Sequence, residues 1–388
     1  MNRTTALLFP VLLTAGLFAG LPGCDEQKAR ESEVQPAKAA GKPEVHAPKA
    51  GVGNTEKVQA AEAEAKPVAV DKQLLVQFGK LPGQFDNPKN AITREKVSLG
   101  KKLYFDKRFS KNQDMSCASC HSLSTFGVDG AKTSEGHKKQ HGDRNSPTVL
   151  NAGGGFVQFW DGRAADVEAQ ALGPVVNPVE MAMPSLAALE TNLRAIPDYA
   201  PEFKAAFPKD AQPVTAKNFG AAIGAFERTL VTPSRFDKYL AGDDAALTSP
   251  EKEGLVKFMD VGCPTCHTGA LLGASEFKKL GLAIPWPIET DQGKFRVSKL
   301  DTDKMLFKVQ SLRNVTETAP YFHDGSVVTL DEAVKLMAKH QLGKNLTAGE
   351  VKSIVAFLGS LKGEVNEDWK KEPELPASGP GLIKPDPT

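Results

Sequence analysis

The chain has 388 residues, of which 40% are hydrophobic and 24% are charged, and this composition supports a folded core and excludes global disorder. Its length indicates two or three domains. The 48 basic and 47 acidic residues leave a formal net charge of +1, so bulk charge gives no support for nucleic-acid binding and we expect no nucleic-acid partner. The five cysteines are an odd number, which argues against a simple disulfide framework.

The first 24 residues have the pattern of an export signal. The apolar stretch from 6 to 21 is too short and too interrupted to span a bilayer comfortably, so we predict a signal peptide over 1–24. It ends in Leu21-Pro22-Gly23-Cys24, which resembles a bacterial lipobox although Pro22 is unusual at its position. We therefore predict lipidation of Cys24 and a periplasmic, lipid-anchored protein. The alternative is an ordinary signal peptide with a stray cysteine.

The segment from 25 to 72 is rich in alanine, lysine, glutamate, proline and glycine and has almost no large apolar side chains. Such a segment cannot offset the entropy that ordering would cost. We predict a flexible tether that holds the folded part of the chain away from the membrane.

Two copies of the C-x-x-C-H pattern follow, and this pattern is the attachment signature of c-type haem. Its two thiols form thioethers with the haem vinyl groups, and the next residue supplies an imidazole to the iron. A thioredoxin-like dithiol or a zinc site is the alternative, but a redox dithiol does not need the following histidine in both copies. We predict two covalently bound haem c groups. The residues are Cys117, Cys120 and His121 in the first copy and Cys263, Cys266 and His267 in the second.

The haem motifs belong to a longer internal repeat. Residues 93–101 parallel residues 249–257, and each segment is predicted to begin a capped helix before its haem motif. Farther along, an Asn-to-Asp separation of ten residues occurs in both halves. The pairs are Asn151 with Asp161, and Asn314 with Asp324. The chain therefore contains two related units in tandem.

The predicted fold class is mainly α, with two tandem cytochrome c-like haem domains. Helical patterns dominate, as in Val214–Leu230 and Leu330–His340, and alternating strand patterns are few. We place the first haem domain at 73–235, the second at 236–365 and a C-terminal tail at 366–388.

The candidate sixth ligands differ between the two halves. His137 and His141 lie in a glycine-rich loop, and either could be an iron ligand or a surface histidine. In the second half, Met337 lies on a predicted helix on the face of Leu330 and Val334. A methionine ligand would raise the haem potential relative to a second imidazole, and the alternative is a core methionine.

Residues 80–370 resemble the bacterial di-haem cytochrome c peroxidases, with the methylamine-utilisation MauG proteins as wider relatives. Several short motifs around the two haem motifs carry this resemblance, in the order typical of the family. They are Arg144-Asn145-Ser146-Pro147-Thr148-Val149-Leu150-Asn151, Phe159-Trp160-Asp161-Gly162-Arg163-Ala164, Leu312-Arg313-Asn314 and Pro320-Tyr321-Phe322-His323-Asp324-Gly325.

The resemblance implies a role for each half. His121 would hold the low-potential haem that reacts with peroxide, His137 would block its iron in the resting oxidised enzyme, and Glu180 would be the distal acid–base residue. His267 and Met337 would hold the high-potential haem that accepts electrons.

The resemblance also implies residues between the halves. Trp160 would lie between the haems, where a core aromatic role is compatible with it. Asn145, Thr318 and Pro320 would bind calcium through amide and carbonyl oxygens. Members of the family are often calcium-linked dimers, so a calcium-dependent homodimer is expected here as well.

The implied activity is reduction of hydrogen peroxide to water, with electrons from a small monohaem cytochrome c or a cupredoxin. One alternative is a MauG-like enzyme that oxidises residues of a partner protein. The MauG proteins use a tyrosine rather than methionine at the second haem and lack the blocking histidine, so Met337 and His137 favour a peroxidase. The other alternative is a plain di-haem electron carrier, which needs no Glu180.

Overall fold

The computed structural model describes residues 68–386, which belong to one compact unit. The predicted signal peptide with Cys24, and the predicted tether up to residue 67, lie outside the described residues. Val70 already packs against the folded core, so ordered packing begins slightly before the predicted end of the tether at 72. No helix between residues 68 and 386 is long and apolar enough to cross a bilayer.

Helices make up most of the regular structure, as predicted. The α-helices are Arg94–Phe105, Cys117–Cys120, Val167–Gln170, Gly173–Val176, Leu186–Arg194, Tyr199–Ala206, Ala216–Glu227, Arg235–Leu240, Ser249–Val261, Phe295–Ser298, Leu330–Leu342, Ala348–Gly359 and Glu367–Lys370. The 3-10 helices are Lys72–Gln77, Lys107–Phe109, Leu123–Thr125, His137–Lys139, Ala152–Gly154, Asp244–Ala246, Cys263–Thr265, Asp301–Asp303 and Val315–Glu317. The strands Phe277–Lys279 and Leu306–Lys308 pair antiparallel, with Phe277 opposite Lys308.

In the first half, the helix Arg94–Phe105 packs across the helix Ala216–Glu227. Thr93 caps the first of these helices, because its hydroxyl accepts a hydrogen bond from the main-chain N–H three residues later. The backbones nearly touch at Gly100, where a Cβ atom would lie 2.0 Å from the carbonyl oxygen of Ala222. Only glycine allows this crossing, which brings the helix before the first haem motif against the core.

The second half repeats this arrangement with the helices Ser249–Val261 and Ala348–Gly359. Thr248 caps the first helix and forms a capping box with Glu251, so the cap lies one residue before the Ser249 that the repeat aligns with Thr93. A Cβ atom at Gly254 would lie 1.8 Å from the carbonyl oxygen of Ser353. The same close crossing therefore positions the second haem motif.

The repeated asparagines converge on a single side chain. Asn151 and Asn314 both adopt a left-handed backbone, with φ of 61° and 59°. Their side-chain amides both donate to the hydroxyl of Thr232 over 2.9 Å, and all three residues are buried. Thr232 lies near the end of the first half, so the two copies of the repeat meet close to the predicted boundary between the domains.

Each half has its own hydrophobic core, and the ends of the folded chain cross over between them. Phe78, near the N-terminal end, packs with Phe236 in the second core. Ile383, near the C-terminal end, packs on the first core and donates its main-chain N–H to Asn192 Oδ1 over 2.9 Å. This crossing ties the halves into one unit, and the domain division at 235/236 stays a prediction.

Candidate functional site

The first C-x-x-C-H motif lies in the wall of a large cavity. Cys117 begins a single helical turn that ends at Cys120, and both cysteines and His121 face the cavity. The volume of this cavity, including the open space at its entrance, is about 1570 Å³. His121 Nδ1 lies 3.3 Å from the carbonyl oxygen of Gly127, so a main-chain carbonyl orients the ring. Burial lowers the pKa of His121, so the ring is the neutral imidazole that a metal requires.

The second motif repeats this geometry. Gly262 turns the chain with φ of 98° before Cys263, and the motif lines a cavity whose empty space is about 1600 Å³. His267 Nδ1 lies 2.9 Å from the carbonyl oxygen of Leu272. Burial also lowers the pKa of His267. Each half therefore presents a neutral imidazole with one nitrogen already oriented by a main-chain carbonyl.

The cysteines do not resemble a redox dithiol. Burial raises the pKa of both Cys117 and Cys263 to about 12, whereas reactive thiols have a lowered pKa. None of the four motif cysteines forms a disulfide. Within residues 68–386, no three His, Cys, Asp or Glu side chains converge where they could hold a metal ion, which disfavours zinc. Two thiols beside an imidazole in a large cavity fit covalent haem c in each half.

Glu180 lies in the wall of the first cavity, with His121. Burial raises the pKa of its carboxyl, and the charge of Arg163 together with a hydrogen bond to Asn177 partly opposes that rise. The Arg163 guanidinium lies 3.5 Å from the ring centre of Phe159, which fixes the cation beside the cavity. The carboxyl of Glu180 therefore takes up a proton more readily than a surface glutamate does, and it can also release that proton.

His137 is buried but does not line the first cavity, although Ser134, Glu135 and Gly136 do. Its main-chain N–H donates to the carbonyl oxygen of Glu180 over 2.8 Å. The predicted distal ligand therefore stands outside the cavity wall in this conformation, with its backbone bonded to the segment of Glu180.

Gly136 makes this contact between the two segments possible. A Cβ atom at this position would lie 1.9 Å from the carbonyl oxygen of Val179. Any larger residue would push the His137 loop away from the Glu180 segment.

Trp160 lines both cavities. Its indole N–H donates to the main-chain carbonyl of Asn145 over 2.9 Å, and its ring packs edge-on against His323 at 6.3 Å between centroids. His323 is buried in the wall of the second cavity and stacks on Phe307. The predicted tryptophan is thus part of a wall that the two cavities share.

Met337 and His267 line the second cavity together. Met337 projects from the helix Leu330–Leu342, which is capped at its C-terminal end by Gly343 in a left-handed conformation. Tyr321 also lines this cavity, but its hydroxyl donates to the carbonyl oxygen of Val315 over 3.0 Å, and burial raises its pKa to about 12. The phenol of Tyr321 is therefore protonated and hydrogen-bonded to Val315. The thioether of Met337 carries no hydrogen to donate in such a bond.

The three predicted calcium residues all lie in the wall of the second cavity. They are Asn145, Thr318 and Pro320. The side-chain amide of Asn145 donates to the carbonyl oxygen of Ala131 over 3.0 Å. This bond uses the amide nitrogen and leaves the side-chain oxygen, the donor type that calcium prefers, for another partner.

Sequence reasoning missed several polar residues of the first cavity, among them Gln170, Glu227 and Lys308. Burial, reinforced by the charge of Glu168, raises the pKa of Glu227 to about 8. Burial alone lowers the pKa of Lys308 to about 8. No short motif surrounds them, and only the fold brings them to the cavity.

Comparison with known proteins agrees with this geometry. The di-haem cytochrome c peroxidase family matches residues 94–245. Cytochrome c551 peroxidase of Pseudomonas aeruginosa is 45% identical over 321 residues, which cover 81% of this chain and 92% of that protein. Methylamine utilization protein MauG of Methylorubrum extorquens is 34% identical and covers 79% of this chain and 89% of its own length.

Solved structures show the same fold. A MauG-like protein associated with microbial copper homeostasis aligns with a TM-score of 0.66 and 30% identity, over 76% of this chain and 97% of that one. The diheme peroxidase BthA from Burkholderia thailandensis aligns with a TM-score of 0.59 at 21% identity, over 77% of this chain and 94% of that one.

Proposed function

This chain belongs to the di-haem cytochrome c peroxidase family, and we propose that it reduces hydrogen peroxide to water in the periplasm with electrons from a small c-type cytochrome or a cupredoxin. The overall change is H2O2 + 2 e⁻ + 2 H⁺ → 2 H2O. The observation that carries this proposal is the half-buried Glu180, whose carboxyl has a raised pKa, in the same cavity wall as His121. A peroxidase needs such a group, whereas a plain electron carrier does not.

When bound, the haem at His121 supplies the iron that reduces peroxide, and the haem at His267 supplies a second one-electron store. Glu180 takes the proton from the near oxygen of peroxide and gives it to the far oxygen, which then leaves as water. The raised pKa of Glu180 favours its protonated form, which delivers the proton to the far oxygen. The nearby charge of Arg163 stabilises the ionised form, which takes the proton from the near oxygen. Two further protons come from solvent.

The two cavities have different roles in electron transfer. Electrons enter through the half that holds His267 and Met337, and they pass to the half that holds His121. Trp160 supports this route because it lines both cavities and its indole is fixed by Asn145. A thioether at the second iron gives that haem the higher potential, which suits an electron acceptor.

His137 acts as a gate for the first cavity. In the resting oxidised enzyme the imidazole of His137 would hold the iron of the first haem, and in the active enzyme the loop would lie against the Glu180 segment. The second arrangement has a specific contact, the 2.8 Å bond from the His137 N–H to Glu180. Such a gate requires two loop states of similar free energy, which reduction of the second haem biases.

MauG-like chemistry is the alternative, since MauG proteins are among the relatives of this chain. Met337 in the second cavity favours the peroxidase, and Tyr321 does not replace it because its hydroxyl is bonded to Val315. The carboxyl of Glu180 argues against a plain carrier.

Three further features complete the proposal. Calcium binds through Asn145, Thr318 and Pro320 and links the loop of the first half to the second half. Cys24 carries lipid chains that anchor the protein. A calcium-dependent homodimer is the assembled form, and size-exclusion chromatography with and without a calcium chelator tests it.

The test of the function is steady-state oxidation of reduced cytochrome c by the purified holoprotein with peroxide. We expect two molecules of cytochrome c to be oxidised for each peroxide consumed. Peroxide-dependent oxidation of a partner protein without turnover of cytochrome c would instead favour the MauG-like alternative, and electron exchange without consumption of peroxide would favour the carrier.

A further inference from the structure

Lys308 is a buried lysine that has no counter-ion among the described residues. It ends the strand Leu306–Lys308 and is 7% exposed. Its ammonium makes one hydrogen bond, over 3.3 Å, to the carbonyl oxygen of Val157. Within residues 68–386, no carboxylate forms an ion pair with it. An ammonium has three donors, and burying it without an anion is costly.

The position of the ammonium favours the first cavity. Lys308 lines both cavities, but its hydrogen-bond partner Val157 lies between Gly155, two residues before it, and Gln158, the next residue along the chain. Both flanking residues line the first cavity and neither lines the second. The charged end of Lys308 therefore belongs to the side of the wall that faces the first cavity.

In the part of the chain that the structure describes, the carboxylates near the shared wall pair with other cations. Arg144 takes up both Asp291, at 2.6 Å, and Asp161, at 2.7 Å. The charge of Arg163 acts on the pKa of Glu180, so that carboxyl interacts with Arg163. Burial alone lowers the pKa of Lys308, to about 8, with no contribution from a carboxylate. The buried ammonium has one hydrogen-bond acceptor for three donors, so an anion in the cavity would supply the partner that it lacks.

We propose that Lys308 binds a propionate carboxylate of the haem that His121 holds, and that it thereby raises the reduction potential of that haem. A haem carries two propionates, and a nearby positive charge favours the reduced iron, which has one positive charge fewer. This inference rests on haem in the first cavity, as the proposed function does, but it does not depend on peroxide chemistry.

The test compares Lys308→Met with Lys278→Met. Lys278 lines the second cavity and pairs with Glu276 at 3.0 Å, so its replacement removes the same charge from a lysine that already has a partner. Reduction midpoints of both haems are measured by spectroelectrochemistry at pH 7, and infrared difference spectra with ¹³C-labelled propionates report the carboxylates. Lys308→Met should lower the midpoint of the first haem and shift a propionate band, whereas Lys278→Met should leave the midpoint of the first haem unchanged.

A retained cation should rescue the effect, so Lys308→Arg should keep the midpoint close to that of the wild type. An unchanged midpoint and unchanged propionate bands in Lys308→Met would overturn the proposal, as would an equal shift in Lys278→Met. If Lys308→Met loses the first haem, retention in Lys308→Arg supports the proposal and loss in both variants overturns it. No peroxide is used, so these results are independent of the peroxidase assignment.

Discussion

The indole N–H of Trp160 donates to the main-chain carbonyl of Asn145 over 2.9 Å, and both residues line both cavities. The main-chain N–H of Asn145 in turn donates to the carbonyl oxygen of His323 over 2.8 Å. Asn145 ends the loop that carries His137. Asn145 therefore connects the loop that carries His137 to Trp160 in the shared wall and to His323 in the second cavity.

Replacing Trp160 by Phe should slow electron transfer between the haems. The variant keeps an aromatic ring but leaves the Asn145 carbonyl without its donor, which costs on the order of 1 kcal/mol in stability. Stopped-flow spectroscopy of the half-reduced enzyme measures the rate. Trp286→Phe is the matched control, because Trp286 is buried and its Nε1 has no hydrogen-bond partner among the described residues. Equal rates in both variants and the wild type would show that Trp160 takes no part in electron transfer between the haems.

Glu180→Gln should lower turnover by roughly 10²-fold or more while leaving both haem spectra nearly intact, because the acid–base group is lost. Glu135→Gln is the control, since Glu135 is an exposed carboxylate at the same cavity. Full activity of Glu180→Gln would show that another group moves the proton.

The pH profile gives a second test of Glu180. Burial raises its pKa, and the first proton transfer needs the ionised form. The value of kcat/KM should therefore fall as pH drops through a pKa above the usual carboxyl value of about 4.3. This limb should be absent from the residual activity of Glu180→Gln. Since the fold disfavours the ionised form, the substitution should not reduce stability at pH 7.

His137→Gly should bind peroxide in the fully oxidised state, because nothing then blocks the first iron. The fully oxidised wild type should bind it slowly until one electron enters with calcium present. Stopped-flow binding of peroxide to both oxidised proteins makes the comparison. Equally fast binding in both would refute the gate, though not the peroxidase function.

Met337→His should lower the potential of the second haem, because an imidazole replaces the thioether. Met337→Leu conserves the volume and removes the ligand, so it should leave that iron without its sixth ligand while the core stays packed. Spectroelectrochemistry and the visible spectrum report the two effects. An unchanged potential and spectrum in both variants would show that Met337 is not the ligand.

Local chemistry made part of this molecule predictable from its sequence. The haem motifs, the cap at Thr93 and the repeated asparagines are short patterns whose geometry follows from adjacent residues. The convergence of Asn151 and Asn314 on Thr232 could not be predicted, because Thr232 belongs to no repeat.

Other features depend on how distant segments pack. Lys308 becomes a cavity residue only because its strand runs along the wall of two cavities. The place of His137 outside the wall depends on Lys138 and Lys139, which turn the loop with φ of 55° and 57°. Lysine has no strong preference for that conformation, so no sequence signal marks the turn.

Removing one haem at a time tests whether electrons enter at the second haem and whether peroxide reacts at the first. Peroxide turnover with reduced cytochrome c is measured for Cys263→Ser with Cys266→Ser and for Cys117→Ser with Cys120→Ser, after mass spectrometry has counted the attached haems. We predict that the first pair loses most turnover with cytochrome c, and that the second pair still accepts electrons from cytochrome c but consumes no peroxide. Undiminished turnover in the variant without the second haem would contradict this division of labour.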